Sequence, residues 1–170
     1  MIFETERLII RPWEQRDTAD ALEMYSHPDV LRFLPNRASE SVSLESQWAS
    51  LERANQRYVE LNDGTGFWAV IERESGRATG ASLLKALPGH PWIEIGWHQN
   101  PNFWGKGYAT EAARGALQYG WENLNLDRIV AVVLPDNHKS IAVTQRLGME
   151  PEGMVQAYDL DLNLYSLSRP

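Results

Sequence analysis

The stretch NFWGKGYATE, residues 102–111, decides how the rest of this sequence is interpreted. Gly105 and Gly107 stand directly before a segment from Tyr108 to Asn123 whose apolar residues recur on one stripe, which predicts a helix. Glycines at a helix start either form a plain turn or let bare backbone N–H groups approach a ligand. Because the helix dipole favours negative charge at that end, the second interpretation predicts a phosphate site.

Two well-known phosphate motifs do not fit this stretch. The P-loop pattern GxxxxGK[ST] does not occur in the sequence, and the dinucleotide pattern GxGxxG would need glycine or alanine where Thr110 stands. A second motif, NHKSIAVTQRLGM (137–149), places Asn137, Ser140 and Gly148 after a strongly apolar segment. By itself that motif indicates only a polar helix cap and a glycine at the helix end. A plain turn and a ligand loop both remain open on these windows alone.

The flanking sequence alternates between strand and helix patterns. The predicted strands cover 7–13, 66–72, 78–87, 92–98, 128–134 and 158–168, and the predicted helices cover 18–26, 44–61, 108–123 and 140–148. Asp17 and Ser43 are predicted to cap the first two helices. The strand 128–134 is apolar throughout, as expected of a central strand, whereas the last strand alternates and is predicted to be antiparallel and half-buried. The order suggests a mixed sheet with helices on both faces.

Length and composition exclude several classes of protein. The 170 residues fit a single domain over 1–170. Because the chain has no cysteine, it can form neither disulfides nor thiolate metal sites, and its four histidines show no metal-binding spacing, so we expect no metal. A net charge of −7 argues against a nucleic-acid partner and favours cationic substrates, although acidity also serves solubility alone. With no signal-peptide profile and no apolar run long enough for a membrane span, a soluble cytoplasmic protein is expected.

Three segments in this order carry a resemblance to a known family. TERLIIRPWEQRD (5–17), EIGWHQNPNFWGKGYATEA (94–112) and NHKSIAVTQRLGM together resemble the GNAT superfamily of acyl-CoA-dependent N-acyltransferases. Within it, the chain looks like the ribosomal-protein N-terminal alanine and serine acetyltransferases, and the resemblance covers nearly the whole length. It implies a mixed α/β fold whose mostly antiparallel, twisted sheet has splayed central parallel strands and helices on both faces.

The resemblance further implies acetyl-CoA as cosubstrate, with its pyrophosphate in the glycine loop and its pantetheine arm along the preceding strand. The residues implied for coenzyme binding are His98, Gln99, Trp104, Gly105, Lys106, Gly107, Tyr108, Ala109, Thr110 and Asn137. Asn102 stands where the family usually has glutamine or arginine, which removes one side-chain contact.

The resemblance assigns catalysis to Glu94 as general base, since relatives carry a carboxylate there; the alternative is a solvated or ion-paired strand residue. Many relatives have a tyrosine acid at the position of Thr144, so Ser140 is expected to protonate the leaving thiolate and Thr144 to pack against the sheet. His98 shares strand parity with Glu94 and is a second candidate base. Glu111 is expected to be structural.

The acceptor implied by the resemblance is a primary amine, either a protein N-terminus or a small molecule. An α-amino group is neutral far more often at pH 7 than a lysine, so it needs only a modest base. The implied groove is flanked by residues 24–40, with Tyr25 and Arg37, and 153–162, with Tyr158; Asp159 and Asp161 are expected to be solvated. A module that binds coenzyme A without turnover is the alternative function, and either a monomer or a homodimer is expected.

Overall fold

One sheet of eight strands organises the computed structural model, which describes residues 1–34 and 43–170. The strands are β1 (Phe3–Glu4), β2 (Leu8–Arg11), β3 (Gly66–Glu72), β4 (Ala78–Ala86), β5 (Ile93–Gln99), β6 (Arg128–Val133), β7 (Glu150–Ala157) and β8 (Leu160–Ser168). Their order across the sheet is β1-β2-β3-β4-β5-β6-β8-β7, and all neighbours are antiparallel except β5 and β6. The predicted mixed sheet with one central parallel pair is confirmed.

Helices cover both faces of this sheet, as predicted. They are α1 (Thr18–Ser26), α2 (Pro28–Leu31), α3 (Leu44–Leu61), α4 (Tyr108–Glu122) and α5 (His138–Leu147). The apolar stripe of α4 packs with α5 and with Leu84 and Ile95 in one buried cluster, whereas α1 and α3 pack with Phe67 and Leu83 in another. Among the described residues, no helix is long and apolar enough to cross a membrane.

The central parallel strands separate soon after they meet. β5 and β6 pair only at Ile93 with Ile129 and at Glu94 with Val130, although β5 runs on to Gln99 and β6 to Val133. The other edge of β5 stays paired with β4 along its whole length. The sheet therefore opens as a wedge at the carboxyl ends of β5 and β6, the place where open α/β sheets bind ligands. This is the splayed pair that the resemblance implied.

The residues of β5 alternate regularly between the two faces. Its register with β4 is unbroken, so Gly96 does not form a bulge. Glu94 and His98 therefore share the α3 face, where the His98 ring lies 5.9 Å from that of Phe67. Gly96 lies between them because Leu83 fills the space of a side chain: a Cβ there would lie 3.0 Å from Leu83 Cδ1.

Asp17 lies at the N-cap position of α1, as predicted, but its carboxylate makes no capping hydrogen bond, so the predicted capping role is wrong. The side chain is 2 % exposed, accepts from the Glu14 N–H at 2.8 Å, and receives both guanidinium Nη atoms of Arg11 at 2.7 and 2.9 Å. A 3₁₀ turn, Gln15–Asp17, precedes α1 and directs the carboxylate back towards β2. Ser43 does cap α3, since its Oγ accepts from the Ser46 N–H.

The substitution Asp17→Asn distinguishes helix capping from the buried ion pair with Arg11 as the role of Asp17. Asparagine caps helices as well as aspartate does, so a capping role predicts almost no change in stability. Loss of a buried ion-pair partner instead predicts a fall of about 3 kcal/mol in the free energy of unfolding, measured by urea denaturation. Glu4→Gln, which removes the exposed ion pair with Arg73, is the control and is expected to cost less than about 1 kcal/mol. Equal effects of the two substitutions would contradict the buried-pair account.

Candidate functional site at the separated strands

A cavity of about 1900 Å³ opens where β5 and β6 separate. Drug-sized ligands usually occupy about 300–1,000 Å³, so this cavity has room for two substrates. Eleven of the twelve site residues suggested by the sequence line it: Glu94, His98, Gln99, Trp104, Gly105, Gly107, Tyr108, Ala109, Thr110, Asn137 and Ser140. Lys106 is the exception, because its side chain turns away from the cavity.

The glycine loop presents backbone N–H groups to this cavity. Gly105 and Gly107 both have φ of +79°, a left-handed conformation that side chains other than glycine rarely adopt. Gly107 occupies the N-cap position of α4 and offers no side chain to the helix start. The first bond of the helix runs from the Glu111 N–H to the Gly107 carbonyl oxygen at 3.0 Å. Among the described residues, the N–H groups of positions 105 and 107–110, which line the cavity, have no hydrogen-bond acceptor, so five unpaired donors lie at or just before the positive end of α4.

Glu72, at the end of β3, anchors this loop. Its carboxylate accepts from Ser75 Oγ at 2.6 Å, from the Tyr108 hydroxyl, and from Lys106 Nζ at 3.2 Å. The Ser75 and Tyr108 hydrogen bonds lower the pKa of Glu72 to about 2, and the bond to Glu72 raises the pKa of Tyr108 to about 12. The stabilisation from ionised Glu72 is thus present above its unfolded pKa and is lost as the pH falls towards 2. Because the Lys106 ammonium is paired with Glu72, it is not available to a ligand in the cavity.

Arg7 lies beside the loop and was missed by the sequence reasoning. Glu111 holds it by accepting from the Arg7 backbone N–H at 2.9 Å and from its Nε at 2.7 Å, while also accepting from Thr5 Oγ1. The guanidinium carbon lies 4.7 Å from the centre of the Tyr108 ring. Glu111 is therefore structural, as expected. Arg7 belongs to the segment TERLIIRPWEQRD that carries the family resemblance, but only the fold shows that this strand lies beside α4.

Basic residues are concentrated around the cavity. Eight of the chain's 16 lysines and arginines are among the described residues that line it, against six of its 23 aspartates and glutamates. The basic residues are Arg7, Arg32, Arg53, Arg57, Lys85, Arg114, Lys139 and Arg146. The described lining thus holds two more basic than acidic residues, whereas the whole chain has seven more acidic than basic residues.

Asn137 and Ser140 lie together at the start of α5. Asn137 Oδ1 accepts from the Ser140 N–H at 3.2 Å and so caps the helix. The Asn137 amide nitrogen and the Ser140 hydroxyl make no hydrogen bond with any described residue and remain available to a ligand. Thr144, in contrast, is fully buried and donates to the Ile141 carbonyl oxygen at 2.7 Å. Thr144 thus packs in the interior, as predicted.

Glu94 lies at the base of the wedge and is 4 % exposed. The Tyr158 hydroxyl donates to its Oε1, and Lys85 Nζ lies 3.2 Å from the same oxygen. Burial raises the pKa of Glu94 and outweighs Lys85 and Tyr158, which act in the opposite direction. The carboxylate is therefore buried and ion-paired, and its pKa is shifted towards the neutral range in which a general base works best.

Tyr158 reaches Glu94 from an unusual backbone conformation. Ala157 pairs with Leu160, so Tyr158 and Asp159 form a two-residue turn between β7 and β8, with φ of +56° and +58°. Such turns favour Asn-Gly, and a bulky residue with positive φ is uncommon and is found more often at functional sites. The predicted strand 158–168 therefore begins two residues later, at Leu160, and the sequence did not indicate that Tyr158 contacts Glu94. Asp159 and Asp161 are exposed, as expected.

His98 lies further along the same face of β5. Its Nδ1 is 2.8 Å from the hydroxyl of Tyr25, a buried residue of α1. Residues 35–42, which include Arg37 of the predicted acceptor segment, lie outside the described part of the chain. Within residues 1–34 and 43–170, no group of three histidines, aspartates or glutamates is placed to hold a metal ion.

Comparison with known proteins places this geometry in context. A family model described as an acetyltransferase (GNAT) domain matches residues 7–150. An uncharacterized N-acetyltransferase of Bacillus subtilis (strain 168), YnaD, is 34 % identical over 90 % of this chain and 85 % of its own length.

Solved structures share the fold over almost the whole chain. A GNAT-family acetyltransferase from Bacillus anthracis superimposes with a TM-score of 0.80 at 27 % identity, over 97 % of this chain and 96 % of that one. A ribosomal-protein-S5-alanine acetyltransferase from Vibrio fischeri does so with a TM-score of 0.75 over 98 % and 95 % of the two chains. At 20 % identity, the second likeness concerns the fold alone.

Proposed function

The chain belongs to the GNAT acetyltransferase family and is an acetyl-CoA-dependent N-acetyltransferase, and on this premise we propose that it acetylates a primary amine held beside Glu94. One observation carries the proposal: the unpaired backbone donors of positions 105 and 107–110 and a buried carboxylate with a raised pKa line the same cavity. The comparisons give no support to the alternative of a module that binds coenzyme A without turnover.

The residues of the glycine loop fit the pyrophosphate of coenzyme A. The N–H groups of positions 105 and 107–110 supply donors without the bulk of side chains, and the guanidinium of Arg7, ion-paired with Glu111, lies beside Tyr108. Past Glu94, the free edge of β5 offers backbone groups to the amides of the pantetheine arm, and the Asn137 amide faces the same space. Gln99 and Trp104 are held together at the end of this edge, since Trp104 Nε1 donates to the Gln99 carbonyl oxygen at 3.2 Å.

When bound, acetyl-CoA supplies the thioester carbonyl that the amine attacks, so that a C–N bond forms and the C–S bond breaks. Glu94 takes the proton that the amine nitrogen loses, and the Tyr158 hydroxyl keeps the carboxylate aimed into the cavity. Ser140, whose hydroxyl has no partner among the described residues, donates its proton to the leaving sulfur and regains one from solvent water, while Glu94 releases its proton to solvent. A backbone N–H on the free edge of β5 stabilises the carbonyl oxygen as negative charge develops there.

Glu94→Gln tests the assigned base. Turnover by the folded variant is expected to fall by about 100-fold, because glutamine keeps the shape of the side chain but cannot accept the proton. The rates of the two proteins should differ most above the pKa of Glu94, where the native carboxylate is ionised, and converge as the pH falls. Steady-state rates of thiol release from pH 5 to 9 measure this, with Glu60→Gln, an exposed change outside the cavity, as control. A ratio that does not vary with pH would rule out the base role.

Tyr158→Phe is the companion variant in the same assay. It keeps the ring but removes the donor to Glu94, so turnover should fall by less than it does in Glu94→Gln. The acidic side of the pH–rate profile should shift to higher pH, since the hydrogen bond from Tyr158 lowers the pKa of Glu94 and its loss removes that effect. A profile that does not move would mean that Tyr158 serves only the turn.

Gly107→Ala tests the loop. Alanine adds a methyl group among the donors and strains the left-handed backbone, so affinity for coenzyme A, measured by calorimetry, is expected to fall at least tenfold. Gly89→Ala is the matched control, because Gly89 also has φ of +79° and open space around it, but lies in the turn between β4 and β5. Both variants carry the same backbone strain. Equal affinities in the two would show that the loop is only a turn.

A further inference from the structure

The half of the cavity on the α3 face is separate from the glycine loop. We call it the acceptor half; its walls include Phe33, Arg53, Arg57, Tyr58 and Lys85, with Glu94 at its base. It lies on the sheet face covered by α1 and α3, whereas the loop starts α4 on the opposite face. Charged groups in the acceptor half are therefore not needed for the phosphates of coenzyme A.

Two arginines in the acceptor half have no acidic partner. Lys85 is neutralised by Glu94 at 3.2 Å, and Arg32 pairs with Asp136 at 3.1 Å. Arg53 and Arg57, one helical turn apart on α3, make no ion pair or hydrogen bond with any residue in the described part of the chain. Among the described residues that line the cavity beside α2 and α3, Asp29 is the further acidic residue, and it offsets one of these two positive charges. Two adjacent guanidinium groups suit a carboxylate or a phosphate.

Arg57 lies near the assigned base. Burial raises the pKa of Tyr58, and the positive charge of Arg57 opposes that rise. The same charge acts against the upward shift in the pKa of Tyr158, whose hydroxyl donates to Glu94. A positive group and a buried carboxylate thus line the same cavity, and a ligand that carries an ammonium and an anion would complement both.

We propose that the acceptor is a small molecule with an anionic group, carboxylate or phosphate, a few atoms from its primary amine. Arg57, assisted by Arg53, binds the anion, and Glu94 receives the proton of the amine. The inference rests on the proposed function and narrows it. It favours amino acids and amino phosphonates over polyamines and over peptide N-termini, whose nearest neighbour to the amine is a neutral amide.

The preference for an anionic acceptor is tested by comparing matched amines in a thiol-release assay at saturating acetyl-CoA. The panel contains amino acids, their carboxamides, the corresponding amino phosphonates and spermidine, each compared at equal concentration of neutral amine. We expect kcat/KM at least tenfold higher for the anionic acceptors than for the carboxamides, the size of effect typical of hydrogen bonds to a charged group. The stronger of the carboxylate and phosphonate arms identifies the anion.

Arg57→Gln is expected to raise KM for the anionic acceptors ten- to a hundredfold while leaving KM for acetyl-CoA and the rates with carboxamides within twofold. Arg53→Gln should act in the same direction but less strongly. Arg16→Gln, an exposed change outside the cavity, is the control and should have no effect.

Three results would overturn the inference. These are a native preference for spermidine, a native preference for the carboxamides, and an equal loss on all acceptors in Arg57→Gln. In each case the proposed acetylation of an amine would stand. If coenzyme A bound but no amine were acetylated, the proposed function itself would fail, and the inference with it.

Discussion

The early separation of β5 from β6 is the constraint on which the rest of this structure depends. Two parallel central strands that paired along their whole length would close the sheet and leave no passage between its faces. Because pairing stops after Glu94 and Val130, the edge of β5 keeps backbone groups that still need partners, and the cavity reaches from the α4 face to the α3 face. A coenzyme on one face and an amine on the other can then meet at Glu94.

Two buried glutamates, Glu72 and Glu94, have pKa values shifted in opposite directions because their surroundings differ. Glu72 accepts hydrogen bonds from Ser75, Tyr108 and Lys106, which hold its pKa near 2, so it stays ionised and anchors the glycine loop. Glu94 has fewer donors, and burial dominates, so its pKa is raised. The first is suited to structure and the second to proton transfer, although both are strand residues with a lysine and a tyrosine nearby.

Patterns local in sequence gave most of the fold and the coenzyme side of the site. Hydrophobic periodicity located six of the eight strands and the four longer helices, but not β1 or the mostly exposed β7, and the glycine loop with Asn137 and Ser140 located the cavity. What the sequence could not supply were contacts between distant segments. Arg7 meets Glu111 across 104 residues, Tyr158 meets Glu94 across 64, and Lys106 is taken by Glu72 across 34. Asp17 shows the same limit at short range. Aspartate often caps helices, but here its carboxylate pairs with Arg11 instead.

The most direct measurement of the central claim is an amide chemical-shift titration of the ¹⁵N-labelled protein with coenzyme A. If the start of α4 binds the pyrophosphate, the N–H signals of residues 105–110 will shift more than those of any other segment and saturate with one dissociation constant. The signals of Gly89, in the turn between β4 and β5, and of Gly153, in β7, will stay in place. Saturable binding that left the signals of 105–110 unmoved would contradict the account, because the coenzyme would then be held somewhere else.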